Sequence, residues 1–143
     1  MKKVLEVSWD EYLDMVVQLA NAIKESPLKP RCIYGIPRGG LQIAVPLSHR
    51  LNGTPVTLDL VGDFILFVDD ISDEGKSLTA CTNVCRNHIT ATLFIKKGTT
   101  FVPDFYVGEV EKDVWVKFPW ELDSEPRNKA AKLKEIKEIK NRK

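Results

Sequence analysis

The stretch Ile65 to Ser77, ILFVDDISDEGKS, concentrates the chain's chemistry. Asp69 and Asp70 stand side by side, and Asp73 follows. Paired carboxylates accept hydrogen bonds from hydroxyl groups and suit a hard divalent cation. Glu74-Gly75-Lys76-Ser77 then supplies a glycine turn, a cation and a hydroxyl. Backbone N–H groups in such a turn, at the start of a helix, form an anion site. The residue types therefore suit a ligand that carries both hydroxyls and phosphate. Gly75-Lys76-Ser77 also looks like the end of a P-loop, but that motif requires a glycine five residues before the Gly-Lys pair. Asp70 stands there, so the match fails and argues against a triphosphatase of that type.

A second loop carries complementary chemistry. Pro37-Arg38-Gly39-Gly40 joins a fixed cation to two glycines that let backbone approach a ligand closely. The same glycines would serve a plain tight turn, and the loop alone leaves both readings open.

The elements that must hold these loops follow from the apolar patterning. Ile65 to Val68 is a short apolar run of the kind found in strands buried on both faces. Cys32 to Ile36 reads as another strand, and Leu41 to Leu51 as the helix after the glycine loop, with Leu41, Ala44, Val45, Leu47 and Ser48 available to pack. Ser8-Trp9-Asp10-Glu11 fits a capping box that opens an amphipathic helix to Glu25, ended by Ser26-Pro27. Further strands are expected at Val56 to Leu60, Ile89 to Ile95 and Phe105 to Val110, and a helix from Leu78 to Asn87. This alternation predicts an α/β chain: a three-layer, mostly parallel twisted sheet flanked by helices. Both loops then lie at the carboxyl ends of strands, the edge where open parallel sheets bind ligands.

The length of 143 residues suits one domain. The net charge of +1 is unevenly divided, with eight Lys/Arg against three Asp/Glu in residues 124–143. We read residues 1–123 as the domain and 124–143 as a basic, weakly helical tail, with Ala130, Leu133, Ile136 and Ile139 spaced three apart. Its interleaved acids and lack of aromatic residues argue against a nucleic-acid arm. Cys32, Cys81 and Cys85 form no disulfide framework, and Cys81 and Cys85 fall four apart on the expected helix. His49 and His88 are far apart in sequence and suggest no metal or triad site. Met1 to Glu6 lacks a signal-peptide core and no apolar run reaches membrane-span length, so a cytoplasmic protein without a membrane partner is expected.

Three separated stretches share a resemblance. Val68 to Ser77 resembles the phosphoribosyl-pyrophosphate (PRPP) motif of type I phosphoribosyltransferases. Ile36-Pro37-Arg38-Gly39-Gly40 resembles their pyrophosphate loop. Trp115 to Glu121, WVKFPWE, and Val7 to Leu13 are similar to segments of the bacterial xanthine-guanine branch. The resemblance implies that fold, with PRPP and a purine base as partners and Mg²⁺ as cofactor. It implies that Asp69 and Asp70 hold ribose hydroxyls, with Asp70 also reaching the metal. Asp73 would assist proton movement at purine N7, as the catalytic residue. Glu74, Gly75, Lys76 and Ser77 would hold the 5′-phosphate, and Arg38, Gly39 and Gly40 the pyrophosphate. Lys96 would donate to the purine 6-oxo group, Trp115 stack on the base, and the Val116 carbonyl accept from an exocyclic amine. A homodimer or homotetramer is implied as well.

Two departures from the family pattern are visible. Glu74 stands where the family usually has threonine, and only a few residues near Asp59 to Asp63 replace its long flexible loop. Two functional expectations follow: a phosphoribosyltransferase for 6-oxopurines (guanine, xanthine or hypoxanthine), or a PRPP- or nucleotide-binding protein of the same fold with little turnover.

Overall fold

The computed structural model describes residues 3–60 and 62–121, so the basic tail at 124–143 lies outside the described residues. Its elements run in chain order as β1 (Lys3–Glu6), α1 (Trp9–Glu25), β2 (Cys32–Gly35), α2 (Leu41–Arg50), β3 (Ile65–Ser72), α3 (Lys76–Thr82), β4 (Ile89–Lys96), β5 (Phe105–Val110) and β6 (Val114–Lys117). Four strands form one sheet in the order β2-β3-β4-β5, and every neighbouring pair is parallel. β1 and β6 pair separately, also parallel. Among the described residues no helix is long and apolar enough to cross a membrane.

The alternation of side chains along β3 explains the three layers. Leu66 and Val68 face α1 and α2, where they join Val16, Leu19, Ile23, Ile43, Ala44 and Leu47 in the larger core. Ile65 and Phe67 face the other way and pack with Leu78 and Cys85. Each of these four β3 residues is fully buried. At roughly 1.5–3 kcal/mol for each large apolar side chain, their burial makes β3 the anchor of the domain.

The capping box forms as expected. The Ser8 hydroxyl accepts from the Glu11 N–H and the Glu11 carboxylate accepts from the Ser8 N–H, both at 3.1 Å. Tyr12 on the same helix donates to the Gln42 carbonyl of α2 and ties the two helices together.

The structure corrects four local expectations. Residues 56–60 do not form a strand; Val56 makes only an isolated bridge to Ile33. The Thr57 hydroxyl accepts from the Asp59 N–H at 3.0 Å, a local turn that competes with ladder pairing. The expected helix to Asn87 stops at Thr82, because the backbone of Arg86 bridges to Asp63 and Asn87 takes φ 50°. Cys81 and Cys85 are therefore not neighbours on one helix. Helix α2 buries Ile43, Ala44 and Leu47 but leaves Leu41 and Val45 exposed. Gly35 lets Ala44 approach β2, where an added Cβ would lie 3.0 Å from that of Ala44, and this contact turns the Leu41 and Val45 face outward. Strand β1 was not expected: its residues are all exposed, and only pairing with distant β6 makes it a strand.

Candidate active site

The same alternation that builds the core sorts the two acids of β3. Asp70 continues the Leu66 and Val68 face, toward α2, and its carboxylate fills the space a Cβ on Gly39 would need. Asp69 continues the Ile65 and Phe67 face. It lines a cleft of about 210 Å³ with Ile71, Asp73, Gly75, Lys76 and Ser77. The adjacent carboxylates thus serve two different loops from one strand end.

Both are mostly buried, and burial is the main reason their acidities change. Desolvation, reinforced by the neighbouring Asp70, pushes Asp69 up to about 8. Desolvation also raises Asp70, although the Ile71 N–H donates to its carboxylate at 2.8 Å and opposes the rise. Asp69 accepts from the Asp70 N–H at 2.9 Å. Two confined like charges of this kind favour a shared proton or a bound cation.

The glycine loop is held against this pair. Gly40 donates to the Ile36 carbonyl, and the Ile36 N–H donates to Val68 at the end of the central strand. A Cβ on Gly40 would collide with the Val68 carbonyl, so the glycine is required by close approach. Arg38 is exposed and follows a cis Pro37–Arg38 peptide.

The turn after β3 is gripped by the turn after β4. The Ser72 hydroxyl donates to the Phe101 carbonyl at 2.7 Å and lies 3.2 Å from the Thr99 hydroxyl. The Thr100 hydroxyl donates to the Glu74 carbonyl at 2.7 Å. Gly75 adopts φ 75°, where a side chain is strained, and an added Cβ would collide with Phe101. Glu74 and Lys76 pair with each other at 2.8 Å on the exposed rim, and this contact lowers the pKa of Glu74 and raises that of Lys76. The Glu74 carboxylate is therefore already engaged by a cation of its own loop.

On the other side of the cleft, Lys96 at the end of β4 places its ammonium 3.5 Å from the Asp73 carboxylate. Lys96 also donates to the Lys112 carbonyl at 3.3 Å. Its side chain is 14% exposed, against 56% for Asp73. Trp115 stands on β6, 40% exposed. The Lys117 carbonyl accepts from the Val7 N–H at 2.9 Å. Carbonyls alternate along a strand, so the Val116 carbonyl turns away from β1. Trp120 stacks on Phe118 at 4.9 Å between ring centroids and meets Tyr12 edge-on at 5.2 Å, so it packs rather than lines the cleft.

Three residues were not singled out from the sequence. Thr99 and Thr100 read as ordinary loop residues, and only the three-dimensional proximity of two turns gives them a role. Glu121 was part of the C-terminal stretch but had no assigned place. Burial raises its pKa, and the nearby charges of Asp70 and Arg38 act on it in opposite senses. It therefore sits beside the pyrophosphate-loop side of the site. Its carboxylate also accepts from the Phe118 N–H at 3.3 Å.

The three cysteines are free thiols, and burial raises those of Cys32 and Cys81, which suits core positions rather than nucleophiles. His49 and His88 are both exposed. Among the described residues no group of three or more His, Cys, Asp or Glu gathers to enclose a metal. A larger cavity, about 400 Å³, opens at the far edge of the sheet beside Lys24, Leu28, Arg31 and Asn52. It contains none of the residues with loop chemistry and no carboxylate, so size alone does not mark the site.

Comparison with known proteins agrees with this geometry. No protein-family model matches the chain. Xanthine-guanine phosphoribosyltransferase of Cereibacter sphaeroides is 30% identical over 116 residues, covering 64% of this chain and 70% of the relative. The purine phosphoribosyltransferase of Pyrococcus horikoshii is 31% identical, with a TM-score of 0.75 over 86% of this chain and 97% of that one. The xanthine-guanine-hypoxanthine phosphoribosyltransferase of Helicobacter pylori superposes with a TM-score of 0.72 at 22% identity, covering 84% and 95%, and supports the fold. The parallel sheet, the acid-bearing end of its central strand and these similarities together show that the chain belongs to the type I phosphoribosyltransferase family, among its purine phosphoribosyltransferases.

Proposed function

We propose that this protein transfers the ribose 5-phosphate of PRPP to a 6-oxopurine (guanine, xanthine or hypoxanthine) and releases pyrophosphate. The observation that carries the reading is the Lys96–Asp73 pair. O6 and N7 are adjacent on one purine edge. An ammonium and a carboxylate 3.5 Å apart offer a donor to O6 and an acceptor to a protonated N7. Adenine presents an amino group where O6 would be and cannot accept from Lys96.

The other roles are assigned in keeping with this reading. Loop N–H groups from Glu74 to Ser77, with the Ser77 hydroxyl, hold the 5′-phosphate, while Lys76 adds positive charge at the rim. Glu74 contributes through its backbone, its side chain being engaged by Lys76. Asp69 and Asp70 accept from the ribose hydroxyls. Arg38 and the backbone at Gly39 bind the pyrophosphate, while Gly40, whose N–H is taken by the Ile36 carbonyl, serves the loop by its close approach to Val68. Trp115 stacks on the base, and the Val116 carbonyl accepts from its exocyclic amine where one is present.

In the reaction the C1′–O bond to pyrophosphate breaks and the oxygen leaves with the electron pair. The N9 lone pair of the N7-protonated base forms the new bond to C1′. Asp73 then takes the N7 proton. Positive charge develops on the sugar near the acids of β3, and negative charge develops on the leaving group near Arg38.

The residues fit a magnesium ion. Asp70 offers a hard carboxylate oxygen beside the pyrophosphate loop, and two confined carboxylates gain from a cation. Asp70 would hold the ion together with substrate oxygens, a donor set of the kind it prefers. When bound, Mg²⁺ neutralises charge on the departing pyrophosphate.

The test is to incubate the protein with PRPP, Mg²⁺ and each of guanine, hypoxanthine, xanthine and adenine, and to identify nucleoside 5′-monophosphate. The reading predicts product with at least one 6-oxopurine and none with adenine. Binding of PRPP without product from any base would favour the second reading, a nucleotide-binding protein with little turnover. The observation on its side is that Glu74 offers a carboxylate where a hydroxyl donor would serve phosphate better.

A further inference from the structure

The segment from Lys96, at the end of β4, to Phe101 touches four consecutive residues, Ser72 to Gly75, at the end of β3 and in the turn after it. Thr99 and Phe101 meet Ser72, Lys96 meets Asp73, Thr100 meets Glu74, and Phe101 closes over Gly75. One of these contacts fixes the direction of a single peptide unit. We infer that Thr100 is a positioning residue for 5′-phosphate binding: its hydroxyl holds the Glu74 carbonyl and thereby aims the Gly75 N–H into the cleft.

The argument rests on peptide planarity. In a trans peptide the C=O and the N–H of one unit point in opposite directions. The Thr100 hydroxyl holds the Glu74 oxygen at 2.7 Å, so the Gly75 N–H points away from Thr100. Gly75 has φ 75° and ψ 12°, close to the third position of a type II turn. Rotation of the Glu74–Gly75 peptide would give a type I turn, which glycine also accepts, and would reverse that N–H. Glycine by itself leaves both states accessible. The Thr100 hydrogen bond selects one of them, and it does so from the turn that also carries Lys96. Phosphate binding and base recognition are therefore positioned by one segment, residues 96–101.

This inference rests on the reading that the loop N–H groups from Glu74 to Ser77 hold the 5′-phosphate, and the experiment separates the two. Dissociation constants are measured for PRPP, for guanosine 5′-monophosphate and for pyrophosphate, which does not use this loop. Thr100→Val keeps the shape and removes the donor. It is expected to weaken both 5′-phosphate ligands about tenfold, the scale of one lost hydrogen bond. Pyrophosphate affinity stays within about twofold by the same scale, and Thr100→Ser restores binding. In turnover, KM for PRPP rises more than kcat falls. Unchanged affinity of Thr100→Val for the phosphorylated ligands, or an equal loss for pyrophosphate, would overturn the inference. If the unmutated protein binds pyrophosphate but neither phosphorylated ligand, the phosphate-loop reading itself fails and this inference falls with it. Should Thr100→Val not fold, amide NMR of the unmutated protein decides. Titration with guanosine 5′-monophosphate must move the Gly75 N–H strongly, and an unmoved Gly75 signal beside shifting Lys76 and Ser77 signals overturns the assignment.

Discussion

The Lys96 ammonium lies 3.5 Å from the Asp73 carboxylate, joining the end of β4 to the turn after β3. The two side chains partner each other, and the proposed function has them read the O6–N7 edge of a purine. Removing the donor should remove the preference. Lys96→Ala is expected to lower kcat/KM for 6-oxopurines by about 10–100-fold, the scale of a lost charged hydrogen bond, with little effect on adenine. A steady-state base profile identical to that of the unmutated enzyme would remove Lys96 from base recognition.

Asp73 has a different signature. As the proposed acceptor of the N7 proton, it should act in the transition state more than in nucleotide binding. Asp73→Asn should reduce kcat by about 10²-fold or more while the nucleotide dissociation constant changes only a few-fold. Equal losses in both quantities would assign Asp73 to binding alone.

The buried acids of β3 make stability depend on pH. Asp69 is raised by burial and by Asp70 from 3.8 to about 8, so the fold favours its protonated form. The sign follows from linkage. Its stabilising contribution is complete below the unfolded carboxylate value and is lost as pH rises through about 8. Asp70, also raised by burial, acts in the same direction. Without divalent cations or ligands, the protein should melt higher at pH 6 than at pH 8.5. Asp69→Asn should flatten that slope and raise the melting temperature at pH 8.5, on the order of 5 °C. A thermal scan in which this variant keeps the full slope would contradict the assignment.

Gly39 is fixed by the carboxylate of Asp70, which occupies the space of a Cβ. Gly39→Ala should displace Asp70 or the loop, costing about 1–3 kcal/mol of stability, the usual scale of overpacking. Denaturant titration measures this cost. Pyrophosphate binding should weaken in parallel, because the same loop carries Arg38. A variant with unaltered stability and pyrophosphate affinity would show that the loop yields without consequence.

The sequence made the central unit legible because its physics is local. A four-residue apolar run, paired acids and a glycine turn state their own strand-loop-helix order, and β3, α3 and the glycine loop stand where that order puts them. The capping box of Ser8 and Glu11 was readable for the same reason. The illegible parts depend on distant partners. β1 is an exposed strand defined only by β6, and the expected 56–60 strand dissolves because Thr57 bonds its own neighbourhood. Residue types could nominate Asp69 and Asp70, but the pleat of β3 was needed to send them to opposite loops. Thr100 carries no signal in its own segment, since its partner lies 26 residues away. Glu121 likewise gains meaning only from its proximity to Arg38 and Asp70.

The most direct measurement compares guanine with 2,6-diaminopurine as acceptors, since the two share the 2-amino group and N7 and differ in the group at position 6 and the N1 proton that goes with it. Pyrophosphate release from PRPP and Mg²⁺ is followed with each base at matched concentrations. A Lys96–Asp73 pair that reads the O6–N7 edge predicts release with guanine and none above background with 2,6-diaminopurine. Equal rates with the two bases, or no release with guanine, hypoxanthine or xanthine, would contradict it.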